Sequence, residues 1–397
     1  MSRPPQPDSR PPQTRSAYDV QLLLPVLFLV GIGIAMVYSA SSTLAMGKFG
    51  SDYFFVKKQA IFAVLGVVGL VITSHIPYRV YRPLAYPLLA AALAMLIAVR
   101  FSPLGSAAGG ALRWLSIAGL SFQPSEFARL ALVVYLAYSL SKKGAKLNEF
   151  AVGFLPHVIV FVVLAGLLML QPDFGSSVIL GAITWIMMFI GGVPLRHLAS
   201  GLLALGPIAY YMMVSTDYRL RRFTSFLDPW QYPQHEGYQI THSLMAFGSG
   251  GLWGSGIGKS YQKLFYLPEP HTDFIFSVIG EELGLWGVLV IVALFLLILW
   301  RGTRIARQAA DPFGTLLAMG LTAALTLQVS INMAVTLGLL PTKGLTLPFL
   351  SYGGTSLFFN LAAVGILINI SAASPRRANR IAGGAPRPGK DEGHAEA

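Results

Sequence analysis

Long apolar blocks make up most of this chain, and they limit its fold more than any other feature. Blocks of about 18 or more mainly apolar residues are typical of membrane-spanning helices. Only 12% of the residues are charged, about half the share found in soluble proteins. We therefore exclude a soluble multi-domain enzyme and predict spans at 20–42, 59–74, 84–99, 125–141, 152–170, 174–191, 195–214, 273–300, 313–337 and 353–372.

The fold class follows from the chemistry of the bilayer. Backbone polar groups in hydrocarbon must be hydrogen-bonded within the protein, and blocks without a two-residue alternation do not suit a barrel. The chain is therefore predicted to be an all-α polytopic membrane protein. We expect a bundle of about ten transmembrane helices, with a large extracytoplasmic loop at 215–272 between helices 7 and 8.

The two ends of the chain differ from the apolar blocks. Residues 1–17 are rich in proline and arginine, and residues 375–397 are rich in arginine. Such segments cannot bury enough apolar surface to become ordered, so both are predicted to be disordered tails around one membrane domain at 18–374. The first block is too long for a signal-peptide core and lacks a convincing cleavage site, which predicts a retained anchor. Lys and Arg residues concentrate in connections that are internal when the N-terminus is cytoplasmic, so both termini are predicted to be cytoplasmic.

Polar residues gather in four groups that the predicted topology places on the outer side. The groups are Arg113 with Gln123 and Glu126, residues 171–173 with Asp173, residues 341–356 with Lys343 and Ser351, and the outer loop 215–272. Together they predict a single outer cleft. The loop is rich in aromatic residues, so we expect it to fold back on the bundle. Its basic residues, including Arg219 and Lys259, suit an anionic head group, and contact with anionic lipid is the alternative.

Asp273 is the strongest candidate for chemistry. It stands at the start of the eighth predicted span, where the helix dipole favours the ionised carboxylate. A carboxylate in this position can accept a proton from a substrate hydroxyl. The alternative, which the residues alone leave open, is that Asp273 only caps the helix.

Other acidic and basic residues have a structural interpretation. Glu281 and Glu282 lie about two turns below Asp273, and we expect a buried structural pair there, with Arg129 or Lys343 as the partner. The histidines lack metal-ligand spacing and the chain has no cysteine, so no permanent metal site is expected. The net charge of +12 carries no folded basic domain with it, which argues against nucleic-acid binding.

Two long motifs resemble the SEDS family (shape, elongation, division and sporulation proteins). They are residues 267–284 and 340–356, and the shorter segments 123–126 and 171–175 fit as well. The resemblance covers about 20–372. Residues 341–348 are more similar to the division members of the family than to its elongation members.

This resemblance implies a peptidoglycan glycosyltransferase of the bacterial cytoplasmic membrane that polymerises lipid II at the division septum. It also implies a class B penicillin-binding protein and other divisome proteins as partners. The essential acid of the family falls on Asp273, which favours the catalytic interpretation over the cap.

The remaining residues receive expected roles around that chemistry. Cations should stabilise a pyrophosphate leaving group, and the expected substrate contacts are Arg113, Arg219, Lys259, Lys343, Gln123 and Ser351. The expected supporting residues are Glu126, Asp173, His271, Thr272, Glu281 and Glu282. No cofactor is required, although a divalent cation, Mg²⁺ or Mn²⁺, could bridge pyrophosphate oxygens. Two other functions stay open, a lipid II flippase and a non-catalytic divisome scaffold.

Overall fold

The computed structural model describes residues 19–108, 111–117, 120–233, 237–265 and 267–374, without the side chains of 107–108, 111, 117, 120, 217–219 and 264–265. The predicted tails therefore lie outside the described residues. The helices are α1 Val20–Phe49, α2 Phe54–His75, α3 Tyr81–Phe101, α4 Pro124–Lys143, α5 Leu155–Met169, α6 Phe174–Gly191, α7 Leu195–Val214, α8 Asp217–Leu227, α9 Tyr238–Gly250, α10 Gln262–Phe265, α11 Ile275–Gln308, α12 Pro312–Thr336 and α13 Gly354–Ala372.

The chain is an all-α polytopic membrane protein, as predicted. Every predicted span is a helix, and nine helices of the described residues are long and apolar enough to cross a membrane. The predicted fourth span, α4, is not among the nine because it carries Glu126, Arg129, Lys142 and Lys143. It nevertheless packs against α3, α6 and α12 with most of its residues buried. A helix surrounded by protein can hold charged residues that a lipid-facing helix cannot.

The ends of the bundle are distinct, and we call the one that carries Asp273 the outer end. At the opposite, inner end, Arg301 of α11 donates to both carboxylate oxygens of Asp19, at 2.7 to 3.0 Å. The Ser371 hydroxyl of α13 donates to the same carboxylate at 2.7 Å. The start of the first helix and the end of the last therefore meet at one end of the bundle.

A small antiparallel sheet joins α3 to α4 at the outer end, and the sequence expectations did not include it. Its strands are β1 Gly105–Ala108, β2 Ala111–Ile117 and β3 Leu120–Phe122, in the order β1-β2-β3. The pairing Ala108↔Ala111 leaves two positions for the first hairpin connection. The Gly-Gly pair at 109–110 is the sequence signal that could have predicted it.

The outer loop folds back on the bundle, as predicted. Its helix α9 packs against α11 and α12. The helix α11 is interrupted at Gly284, whose φ of 64° and ψ of −165° are open almost only to glycine. At this break, the backbone N–H groups of Ser255 and Gly256 donate to the carbonyls of Glu281 and Glu282, at 2.9 and 3.0 Å. The loop thus provides partners that the interrupted helix does not.

Candidate functional site

Direct contacts join the polar groups at the outer end. The Nη2 of Arg113 on β2 donates to the carbonyl of Pro172 at 2.6 Å, which ties the sheet to the connection before α6. The ammonium of Lys343 lies 5.9 Å from the ring centroid of Phe174, at the start of α6. The Nη1 of Arg222 donates to the carbonyl of Thr342 at 3.3 Å, which adds the outer loop. These contacts agree with the single cleft expected from the sequence.

Asp273 lies where these groups converge. A Cβ added to Gly344 would lie 3.2 Å from Oδ2 of Asp273, so the carboxylate packs directly on the backbone beside Lys343. The helix α11 begins at Ile275 with Phe274 in the capping position, and no side chain caps it. The capping alternative for Asp273 is therefore wrong, and the carboxylate is not occupied by the helix end.

The environment of Asp273 tunes its protonation. The pKa of its carboxyl is raised from 3.8 to about 7, first by burial and then by the negative charge of Glu269. The positive charges of Arg222 and Arg113 and a hydrogen bond with Thr272 act in the opposite direction. The expectation that the helix dipole keeps this group ionised thus differs from the structure, in which desolvation outweighs the favourable charges. A pKa near the working pH suits a general base.

Lys343 and Asp173 lie near each other at the start of α6. Burial lowers the pKa of the Lys343 ammonium, and the negative charge of Asp173 offsets part of that effect. Asp173 caps α6, since its Oδ1 accepts from the backbone N–H of Ser176 at 3.2 Å and its Oδ2 accepts from the Ser176 hydroxyl at 2.7 Å. Asp173 therefore fixes the start of α6, against which Lys343 rests.

The other expected substrate contacts differ in their surroundings. Gln123 is partly buried just before α4, and Lys259 is exposed in the segment before α10. Ser351 is buried, and its hydroxyl accepts from the backbone N–H of Leu347 at 2.7 Å. This hydroxyl closes a turn inside the protein, and its expected role as a substrate contact stays a prediction. The side chain of Arg219 lies outside the described part of the chain.

His271 and Thr272 hold the chain before Asp273. The His271 ring packs between Phe55 and Tyr352, with centroids 4.5 and 5.5 Å away, and its carbonyl accepts from the backbone N–H of Tyr352 at 2.8 Å. Burial lowers the pKa of His271 to about 4, so the ring is neutral at pH 7. The Thr272 hydroxyl donates to the carbonyl of Glu269 at 3.1 Å. Both residues fix the turn that presents the carboxylate.

Glu126 belongs to a buried network below the cleft. Arg129 forms an ion pair with Glu126 and donates to the side-chain oxygens of Gln328 and, at 3.2 Å, Asn360. Beside this network, an open crevice lies between α4, α12 and α13. Its other lining residues are apolar: Leu130, Val133, Leu321, Ala324, Leu325, Phe359, Ala363, Val364 and Leu367. Its chemistry suits a hydrocarbon chain, and it does not include Asp273.

Glu281 and Glu282 are buried and paired, but with other partners than Arg129 or Lys343. The carboxylate of Glu282 accepts from Lys263 Nζ at 2.6 Å and from the hydroxyl of Ser39 at 2.7 Å. The carboxylate of Glu281 accepts from the Ser260 hydroxyl and from the backbone N–H of Tyr261 at 2.8 Å. The correction has a simple cause: the outer loop folds over α11 and brings Lys263 closer than any basic residue of the bundle.

Two residues at the site, Glu269 and Asn332, were not among the expected ones, and a third, Arg222, was expected only as one of the basic residues of the outer loop. Arg222 and Glu269 belong to the outer loop, and only the fold places their charges near Asp273. Asn332 of α12 donates to the backbone carbonyl of Asp273 at 2.9 Å. A polar amide within an apolar span was a signal that could have identified it, because such residues face the bundle interior.

The acidic residues near the cleft bear on whether a divalent cation could assist there. Within the part of the chain that the structure describes, no group of three or more His, Cys, Asp or Glu residues could hold a metal ion. Glu269, whose negative charge acts on Asp273, is the carboxylate that would hold one. Mg²⁺ sites with one or two carboxylates complete their coordination with substrate phosphates and water, so the donor chemistry is compatible with a cation that arrives with a pyrophosphate.

The amino-acid sequence is similar to a family model and to named relatives. Residues 20–376 match the family model FtsW/RodA/SpoVE, described as "Cell cycle protein". The chain is 46% identical over 354 residues to the probable peptidoglycan glycosyltransferase FtsW of Geobacter metallireducens, covering 89% of this chain and 94% of the relative. It is 40% identical over 361 residues to the stage V sporulation protein E of Bacillus subtilis, covering 91% and 98%.

Solved structures show the same fold. One chain of a peptidoglycan synthase complex, described in terms of the coordination of polymerization and crosslinking, is 30% identical with a TM-score of 0.74, covering 91% of this chain and 99% of its own. The rod shape determining protein RodA of Thermus thermophilus is 30% identical with a TM-score of 0.67, covering 90% and 98%. These matches confirm the resemblance found in the motifs. The chain belongs to the FtsW, RodA and SpoVE family of cell cycle proteins.

Proposed function

We propose that this protein is a septal peptidoglycan glycosyltransferase that polymerises lipid II into glycan strands, with Asp273 as the general base. Relatives named as probable peptidoglycan glycosyltransferases, nearly half identical over almost their whole length, support the activity. The observation that carries the assignment of the base is the position of Asp273. Its carboxylate has a pKa of about 7, stands free of the helix end, and packs on the backbone beside Lys343.

The reaction needs one base at this position. Asp273 takes the proton from the 4-hydroxyl of the acceptor GlcNAc, and the oxygen attacks the anomeric carbon of the donor MurNAc. The bond from that carbon to undecaprenyl pyrophosphate breaks, and the configuration inverts. Inversion requires no second carboxylate as a nucleophile. The proton then leaves the protonated Asp273 for solvent, and the base is restored.

The developing charge on the leaving pyrophosphate calls for cations. Our candidates are Arg113 and Arg222, whose charges act on Asp273, and Lys343, whose neighbour Gly344 packs on the carboxylate. Preorganised charges of this kind stabilise a transition state without reorganisation. Arg222 and Arg113 also lower the pKa of Asp273 against its burial, so these two cations keep part of the base ionised.

The lipid half of the substrate and the partners belong to the same proposal. The apolar crevice between α4, α12 and α13 suits part of a polyprenyl chain. The solved peptidoglycan synthase complex supports a class B penicillin-binding protein as the partner that crosslinks the product, alongside other divisome proteins. The charge bias supports two cytoplasmic termini and an outer cleft that faces the growing wall.

The test is polymerisation of lipid II by the purified protein with a partner whose crosslinking site is inactivated. Asp273→Asn should reduce the rate about 10²- to 10⁴-fold, as loss of a general base does. The matched control is Asp52→Asn, an outer carboxylate whose Oδ2 accepts from the Tyr38 hydroxyl at 3.1 Å. The control should keep the unmodified rate.

Each competing function predicts a different result. A flippase moves lipid II across vesicles without making glycan chains, and a scaffold binds its partners while tolerating both substitutions. Chains made by Asp273→Asn at the unmodified rate would refute the base assignment. The absence of chains from the unmodified complex would refute the enzyme itself.

A further inference from the structure

Two buried amides lie one turn apart on α12. They are Gln328 and Asn332, with exposed fractions of 0% and 1%. Residues four apart in a helix share a face, so both amides point at the same neighbour, the segment 343–346. A buried amide is costly unless it is hydrogen-bonded, so the choice of partners is informative.

Asn332 uses both of its donors on the candidate site. Its Nδ2 donates to the backbone carbonyl of Asp273 at 2.9 Å and to the backbone carbonyl of Leu345 at 2.5 Å. These carbonyls belong to two segments that are far apart in sequence. One amide therefore joins Asp273, two residues before α11 begins, to the segment that carries Lys343.

The joined segments are the ones whose spacing matters for the chemistry. Gly344 lies between Lys343 and the bonded Leu345, and a Cβ there would lie 3.2 Å from Oδ2 of Asp273. The backbone N–H of Leu345 also donates to the carbonyl of Lys343 at 3.0 Å, so these three residues form one tight turn. Fixing the carbonyl of Leu345 thus fixes the whole turn against the carboxylate.

Gln328 continues the same attachment one residue further along. Its Nε2 donates to the carbonyl of Thr346 at 2.9 Å, while its Oε1 accepts from Arg129. Of these two amides, Asn332 is the one that also donates to the backbone carbonyl of Asp273.

We propose that Asn332 is a positioning residue for glycosyl transfer: it sets the distance between the base Asp273 and the Lys343 turn by binding the backbone of both. The inference rests on the proposed role of Asp273. Asn332 acts through these two segments and does not contact the sugar. A misplacement of reacting groups by about 1 Å can cost about 10²-fold in rate, so the loss should appear in kcat.

The experiment uses the full-length protein with its crosslinking-inactive partner and lipid II as the substrate. Asn332→Leu removes both hydrogen bonds at similar volume, and Asn332→Ser removes the amide at smaller volume. The matched control is Thr336→Val, one turn further along α12 and equally buried, whose hydroxyl donates only within its own helix. For both Asn332 variants we expect kcat to fall about 10- to 100-fold, with KM within about threefold and an acid limb of the pH–rate profile displaced from that of the unmodified protein. The control should have the same kcat and the same pH–rate profile as the unmodified protein.

Several results would overturn the proposal. A kcat for Asn332→Leu or Asn332→Ser equal to that of the control is one, and an effect confined to KM is another. If both Asn332 variants lose the fold, by thermal midpoint in detergent, while Thr336→Val keeps it, the role is stability and not positioning. Asp273→Asn in the same assay separates the two proposals. If Asp273→Asn is active, the proposal that Asp273 is the base is refuted. If Asp273→Asn is inactive but Asn332→Leu is fully active, only the positioning role of Asn332 is refuted.

Discussion

The pH dependence of polymerisation offers the sharpest test of the Asp273 environment. The base must be deprotonated to act, and burial raises its pKa to about 7. Activity should therefore be present above pH 7 and lost as the pH falls through it. For a single group with this pKa, the deprotonated fraction is about 9% at pH 6 and about 91% at pH 8.

The expected magnitude is thus about a tenfold rise in kcat between pH 6 and pH 8. A carboxyl with the ordinary pKa of 3.8 would be almost fully ionised at both values and would give no rise. The assay is initial-rate polymerisation of lipid II at saturating substrate, in detergent, across that range. A flat profile would refute the claim that desolvation dominates at this carboxylate.

Two substitutions make the reasoning stricter because they act in opposite directions. Glu269→Gln removes the charge that raises the pKa of Asp273, so the ratio of rates at pH 8 and pH 6 should shrink. Arg222→Gln removes a charge that lowers this pKa, so the ratio should grow. Glu149→Gln, an exposed acid in the connection after α4, is the control and should leave the ratio unchanged. Shifts of the same sign in both variants would contradict the electrostatic account.

Two further predictions concern stability. Lys263→Met leaves the buried Glu282 carboxylate without its cation, and loss of one partner of a buried pair costs about 3–5 kcal/mol. The thermal midpoint should therefore fall clearly, and the double variant with Glu282→Leu should recover most of that loss. An unchanged midpoint in the single variant would show that the pair is not needed. Gly284→Ala should destabilise by at least about 3 kcal/mol, because the backbone conformation is almost exclusive to glycine and a Cβ would collide with the backbone of Gly254. Gly166→Ala, with open space at its Cβ, is the control and should be neutral in the same melting experiment.

The sequence predicted the architecture because the bilayer imposes it. Each apolar block had to become a helix, because no other structure satisfies its backbone polar groups in hydrocarbon. The small sheet after α3 was missed because its strands are short and its residues are not strongly alternating, which leaves only the Gly-Gly pair as a signal. The interruption at Gly284 was missed for a related reason, since a single glycine in an apolar block is usually compatible with a continuous helix.

The site was predictable where chemistry is local and not where it depends on long-range packing. Asp273 and Lys343 were identified from their motifs. The partners of Glu281 and Glu282 were not, because Ser260 and Lys263 reach them only after the outer loop has folded. The same limit applies to the protonation of Asp273: the sequence shows the helix end, while the desolvation that outweighs it comes from segments far away in the chain.

The hydrogen bonds that Arg301 and Ser371 donate to Asp19 have a consequence for biosynthesis. Asp19 leaves the ribosome early, and its guanidinium partner follows only after 282 further residues. The Ser371 hydroxyl, which donates to the same carboxylate, is made later still, with α13. The carboxylate of Asp19 can therefore gain these partners only after the helices that carry Arg301 and Ser371 have been made.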